Sequence, residues 1–277
     1  MSPAPTVPVG IGPAGVPALK VTQARVLRSE FTKFRSLRST LWTLLSAVVL
    51  TIGVGVLFAA VTSSQYHAFT ASQQASFNPV GTSLGGITFA QIAFGVLGVL
   101  IMSGEYSTGM IRSSLTAVPR RLPVLWGKLA VFAGVIFGVS VVASFISFFL
   151  GQAVLSGRHL DVAITAPGAL RSVIGAALYV TVAGLIAVGL GTLLRNTAAG
   201  ISAFVAVFFI IPPLAQALPS SVSGHLGPYL PSNAGAALYG VANVDNPLPP
   251  WAGFGLLCGY AAVVIGGAAW RLQRTDA

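Results

Sequence analysis

The chain has 277 residues, of which 55% are hydrophobic and 7% charged, and it carries a formal net charge of +10. Soluble domains hold roughly 25% charged residues, so a mean hydropathy of +0.85 excludes a soluble domain and indicates an integral membrane protein. Backbone polar groups in lipid must be satisfied within their own segment, and solid apolar runs take the place of barrel-like alternation. The expected fold class is therefore an all-α integral membrane protein with six transmembrane helices.

Residues 1–19 hold Pro, Gly and Val but no charge, and lack the basic start and compact apolar core of a signal peptide. They are expected to form a disordered cytoplasmic tail. Over 20–40 the pattern changes: Leu27, Phe31, Phe34 and Leu41 recur at spacings of three, four and seven, while Arg25, Arg28, Lys33 and Arg35 mostly fall elsewhere on the wheel. That predicts a basic amphipathic helix lying in the membrane interface and attracted to anionic lipid, with Trp42 at headgroup level where the chain turns inward.

No Asp, Glu, Lys or Arg occurs between Arg38 and Glu105. The run is too long for one span, and the polar break SSQYHAFTASQQASFNP at Ser63–Pro79 divides it into expected spans at 41–62 and 82–102. Further spans are expected at 129–155, 170–194 and 198–218, the last two as a hairpin about Arg195 and Asn196. Pro212 and Pro213 should kink or end the fifth. Residues 219–250 are too apolar for a plain loop and too broken for a span, which suits a short re-entrant or surface-lying segment. The sixth span is expected at 251–270, with a cytoplasmic tail over 271–277.

Six spans place both termini on one face. On that face fall 13 of the 15 Lys and Arg, leaving Arg158 and Arg171 on the other, so the termini are expected in the cytoplasm. This distribution accounts for the net charge without nucleic acid as a partner, because Asp161 and Asp245 offset the two outer arginines. His67, His159 and His225 share no spacing and read as outer loop residues, so no metal site is expected. The single cysteine, Cys258, excludes an internal disulfide and reads as a packing residue.

After the second span comes SGEYSTGMIRSSLTAVPRR, Ser103 to Arg121. A carboxylate at bilayer depth costs about 3 kcal/mol, so Glu105 is expected to mark the exit of the span into the interface. Gly109 permits a tight turn, a short helix from Met110 to Ala117 would align Ile111, Ser114 and Leu115, and Pro119 closes it. Arg120 and Arg121 suit phosphate headgroups or carboxylates on a partner. On residue chemistry alone this is either a solvated loop obeying the charge rule or a docking segment.

The longer stretch SGEYSTGMIRSSLTAVPRRLPVLWGK resembles the intracellular loop of ABC exporter permeases of the type 2 membrane family, whose pattern runs Glu, Gly, a leucine-bearing short helix, Pro, Arg and a later Lys. Glu105, Gly109, Leu115, Pro119, Arg120 or Arg121, and Lys128 fit it in order. RVLRSEFTKFRSLRSTLWTL is similar to the start of many actinobacterial members. The resemblance implies a plasma-membrane permease of an ATP-driven exporter, with Met110 to Ala117 as a coupling helix seated on a separate ABC ATPase subunit. Its contact set would be Glu105, Gly109, Met110, Ile111, Arg112, Ser114, Leu115, Pro119, Arg120 and Arg121.

The sequence contains no G-x-x-x-x-G-K-[ST], so ATP and Mg would belong to that partner and this chain is expected to hold no cofactor and no catalytic residue. Six spans are half of the usual exporter core, which implies a homodimer or a pair with a related permease. The resemblance also implies a pathway between spans one, two and five of two protomers, with Phe58, Phe94, Phe204 and Phe208 as candidate lining and the substrate left open among drugs, lipids and peptides. The alternatives are a secondary transporter, which usually carries charges within its spans, a membrane enzyme, which needs a convergent catalytic set, and a membrane scaffold. The glycine pairs Gly134 with Gly138 and Gly255 with Gly259 have the spacing of close helix packing, but chance placement of 32 glycines already predicts about four such pairs.

Overall fold

The computed structural model of the chain describes residues 23–36, 38–107, 121–242, 244 and 247–274. In chain order come α1 (Gln23–Ser36), α2 (Arg38–Gln65), the short α3 (Ala71–Ala75) and α4 (Pro79–Ser83), and α5 (Ile87–Ser107). Then follow α6 (Arg121–Ser156), α7 (Ala169–Leu194), α8 (Thr197–Val205), α9 (Ile211–Gln216), α10 (Ser220–Leu226), α11 (Pro231–Ala236) and α12 (Pro250–Arg274). No strand occurs among the described residues. Six helices, α2, α5, α6, α7, the continuous α8–α9 rod and α12, are long and apolar enough to cross a membrane.

α7 is the central post of the bundle: 18 of its 26 residues are buried, and it packs against α5, α6 and α12. Helices in lipid approach closely where small residues let backbones meet, and α7 uses glycine at each contact. Gly184 faces the Phe132 ring of α6, Gly191 the backbone of Val99 on α5, and Gly189 the side chain of Val264 on α12. A buried hydrogen bond from Tyr179 Oη to Gln91 Oε1, 2.9 Å, adds a polar tie between α7 and α5.

The second span starts later than the sequence reading placed it, at Ile87, because the chain first makes a short buried excursion. Asn78 caps α4 by accepting from the Gly81 N–H, and Pro79 takes the first helical position, where it has no N–H to waste. The segment then wedges Ser83 and Leu84 between α2 and α6, where Gly55, Gly86 and Gly151 leave the room. Carbonyls in so short a helix have no following turn to bond, so at bundle depth side chains satisfy them. Ser147 Oγ donates to the carbonyls of Ser83 and Thr51, and Gln152 Nε2 donates to the Pro79 carbonyl and to Ser83 Oγ.

The fifth span changes pitch rather than stopping at its prolines. Residues Ala206–Ile210 form a π-helical turn directly before Pro212 and Pro213. A proline lacks its donor and crowds the carbonyl four residues back, and widening the preceding turn accommodates both defects. Beyond it, the 219–250 stretch forms α10, α11 and two 3₁₀ turns, and its small-residue stretch Asn233–Tyr239 is buried against α7 and α12. Gly240 closes that stretch at φ 78° and its carbonyl accepts from Asn78 Nδ2 at 2.8 Å, tying it to the start of α4.

α6 begins at Arg121, earlier than the expected span, since Pro123 falls in the first helical turn where proline is tolerated. At 36 residues it extends about 54 Å, well beyond the ~30 Å hydrocarbon core. α1 is helical, but its buried face is Val26, Glu30 and Phe34 at i, i+4 and i+8, with Phe31 half-exposed. The buried face is thus rotated from the apolar stripe read in the sequence, and it carries Glu30, whose seating is described next.

Candidate functional site

Three helix ends converge where the basic residues gather: the second half of α1, the last turns of α5 and the first turns of α6. Glu30 from α1, Glu105 from α5 and Lys128 from α6 are each buried there. Lys128 Nζ donates to Glu30 Oε2 at 2.7 Å and to Glu105 Oε1 at 2.8 Å. Lys33, half-exposed on α1, closes the cluster by donating to Glu30 Oε1 at 2.9 Å and to Glu105 Oε1 at 3.5 Å. Two carboxylates and two ammonium groups thus alternate, and the local charge cancels. Buried ions are tolerable only in such a paired and hydrogen-bonded arrangement.

Glu105 stands in the last turn of the second span, where the sequence placed the exit, but its side chain is buried. It is a buried acceptor holding α5 to α6 through Lys128 and to α1 through Lys33, and the second acid that shares these lysines, Glu30, was missed in the sequence. The available signal was an acid lying on one helical stripe with Val26 and Phe34 inside an otherwise basic segment.

Glu30 and Lys33 respond to the cluster in opposite directions. Burial pushes the Glu30 carboxyl up, but Lys128 and then Lys33 outweigh that and hold it below its usual value. For Lys33 burial pulls down, while Glu30 and Glu105 outweigh it and raise the ammonium above its usual value. A lowered acid stabilises the fold above its unfolded value of 4.5 and loses that as pH falls through the folded value. A raised base stabilises below 10.5 and loses that as pH rises through its folded value. The melting temperature in detergent should then be flat through the neutral range and fall in acid below pH 4.5. Glu30→Gln should show a lower plateau and a shallower acid fall. Parallel acid profiles for the two proteins would remove Glu30 from this role.

The last turn of α5 is tied on its other side too. Thr197 Oγ1, at the start of α8, donates to Ser103 Oγ at 2.8 Å, and the Arg195 guanidinium lies over the Tyr106 ring, 5.0 Å from its centroid. Arg271 of α12 donates to the Leu193 carbonyl. Consecutive residues of α5 thus reach the α7–α8 turn through Ser103 and Tyr106, and α1 and α6 through Glu105.

Of the residues expected to contact a partner, Glu105 is placed in this cluster and Arg121 begins α6. Gly109, Met110, Ile111, Arg112, Ser114, Leu115, Pro119 and Arg120 lie outside the described residues, as do the 1–19 tail and 275–277. Of the aromatic residues expected to line a pathway, Phe94, Phe204 and Phe208 are inside the protomer at 2%, 0% and 3% exposure, whereas Phe58 is 43% exposed. The Phe204 ring stacks 4.8 Å from Phe208 and presses on Gly95, where a Cβ would overlap it. In this conformation those three rings are packing residues. Among the described residues no three His, Cys, Asp or Glu side chains gather as metal ligands would.

A bundle of six helices long and apolar enough to cross a membrane, with a buried ion-pair cluster joining three helices where the basic residues gather, defines a multi-pass membrane protein. The family model described as ABC-2 family transporter protein matches residues 26–213, more than half of the chain and inclusive of Glu30, Lys33, Glu105 and Lys128, and the chain belongs to that family. It is accordingly an ABC transporter permease, the membrane component of a system that pairs with an ABC ATPase subunit. No curated protein matches the chain.

Proposed function

We propose that the chain is the permease of an ATP-driven exporter in the plasma membrane, with both termini in the cytoplasm, and that residues 108–120 seat on the ATPase subunit and transmit its closure. The supporting observation is the Glu105–Lys128–Glu30 lock. The two helices flanking the 108–120 segment are joined to each other and to α1, so a push on that segment cannot move one alone. α1 leads directly into α2, and α5 is also tied to the α7–α8 turn, so one docking event would displace the first, second, third and fourth spans together. ATP and Mg would be held by the ATPase subunit. A second permease copy or a related permease would complete the core, and Phe58, 43% exposed on α2, would contribute to a pathway between the two.

Leu115→Asp and the pair Arg120→Glu/Arg121→Glu test this reading in co-purification from native membrane under gentle solubilisation. An ATPase should accompany the wild type and be lost from correctly inserted variants. No ATPase with any of the three proteins, or equal recovery with all, would overturn the docking role.

A further inference from the structure

Beside the ion-pair cluster lies a cavity of about 290 Å³ between α1, α2, α5 and α6. Its walls are mainly apolar, with Phe34, Leu100, Ile101 and Val131 around Gly104, and the Lys33 ammonium stands at its polar edge. This volume is at the lower end of the ~300–1,000 Å³ of small-molecule sites, which suits a stretch of flexible chain better than a bulky ring system. Leu100 lines the cavity from the second span and is 42% exposed, so an apolar chain entering beside it would come from the surroundings of a span.

The charges around it select the head of the occupant. Among the described residues at this end both carboxylates, Glu30 and Glu105, are buried against lysines. The exposed charges are all positive: Arg25, Arg28 and Arg35 on α1, Arg38 at the start of α2 and Arg274 at the end of α12, with Lys33 half-exposed at the cavity itself. Among the described residues a zwitterionic head would find no exposed carboxylate for its cation.

We infer that this cavity is a binding site for one anionic phospholipid of the surrounding membrane, an acyl chain entering past Leu100 and the phosphate meeting Lys33 and the arginines of α1. The inference rests on α1 lying at a bilayer surface and requires no ATPase, so lipid binding and ATPase docking can fail separately.

Gly104 provides the test, because it lines the cavity and a Cβ there meets nothing within 4 Å, so a side chain at this position starts into open space. The full chain is delipidated in mild detergent, offered equimolar phosphatidylglycerol and phosphatidylcholine, and examined by native mass spectrometry and thermal shift. The wild type should retain one phosphatidylglycerol per protomer, preferred by about fivefold or more, the ratio that one basic side chain near the surface supplies. Gly104→Leu should keep a melting temperature at least equal to that of the delipidated wild type, yet lose both the bound lipid and the upward shift that lipid produces. Val131→Phe fills the same space from α6 and should behave alike should Gly104→Leu fail to fold. Retention of phosphatidylcholine or detergent as readily as phosphatidylglycerol, or undiminished lipid binding by a folded cavity-filling variant, would overturn the assignment.

Discussion

Lys128→Met should cost about 3–5 kcal/mol of stability, the range for removing one member of a buried ion pair, and it should be the most damaging single change at the basic end of the bundle. Lys128 is 5% exposed and sits 2.7 Å from Glu30 and 2.8 Å from Glu105. Without it two carboxylates share one half-exposed lysine, and Lys33 is 3.5 Å from Glu105, too far to replace the lost bond. One carboxyl must then take a proton or draw water into the helix junction. The loss belongs to the uncompensated charge rather than to the missing methylenes, since Met conserves most of the volume. Lys128→Met/Glu105→Gln removes one acid with the base and should recover most of the stability, a non-additivity that identifies a coupled pair. Unfolding in mixed detergent micelles measures all three proteins. If the double variant is no more stable than Lys128→Met, the electrostatic account of the junction is wrong.

The parts of this molecule that were legible in its sequence are those fixed by short-range rules. Long apolar runs make the number and order of the spans readable, because the cost of exposing backbone to lipid permits little else. The pairing of Glu105 with Lys128 is half-legible: both residues stand in the loop pattern, but their mutual contact spans 23 positions in the chain and depends on α6 starting at Arg121. Glu30 was hidden by its basic neighbours, whose abundance made the polar side of this amphipathic helix read as a strip facing lipid headgroups. The buried excursion at Pro79–Gly86 was also out of reach, since its donors come from Ser147 and Gln152, more than sixty residues later. The aromatic residues show the converse failure. A phenylalanine in a span carries no mark of which way it points, and Phe204 packs inward where Gly95 on another helix leaves room for its ring.

Gly86→Ala should destabilise the bundle by about 1–3 kcal/mol or more, as overpacking does when nothing nearby can yield, whereas Gly134→Ala and Gly255→Ala should lose nothing. All three add one methyl group, and the last two belong to glycine pairs whose spacing chance placement already explains. The geometry separates the three. A Cβ on Gly86 would overlap the backbone of Leu50 and Thr51 in α2, and backbone inside a helix cannot swing aside as the end of a side chain can. At Gly134 and Gly255 the same atom meets nothing within 4 Å, and alanine improves helix propensity by up to about 1 kcal/mol. Gly86 also accepts the first hydrogen bonds of α5, from the N–H groups of Phe89 and Ala90, so forcing it away from α2 tilts the helix that carries Glu105 at its far end. The damage should therefore reach the basic end, with a lower melting temperature and a reduced penalty for a subsequent Lys128→Met because the cluster is already loosened. Equal stability of Gly86→Ala and wild type would mean that α2 and α5 do not cross as closely as the structure places them. Damage from Gly134→Ala equal to that from Gly86→Ala would instead assign the Gly134 face to a helix contact outside the protomer.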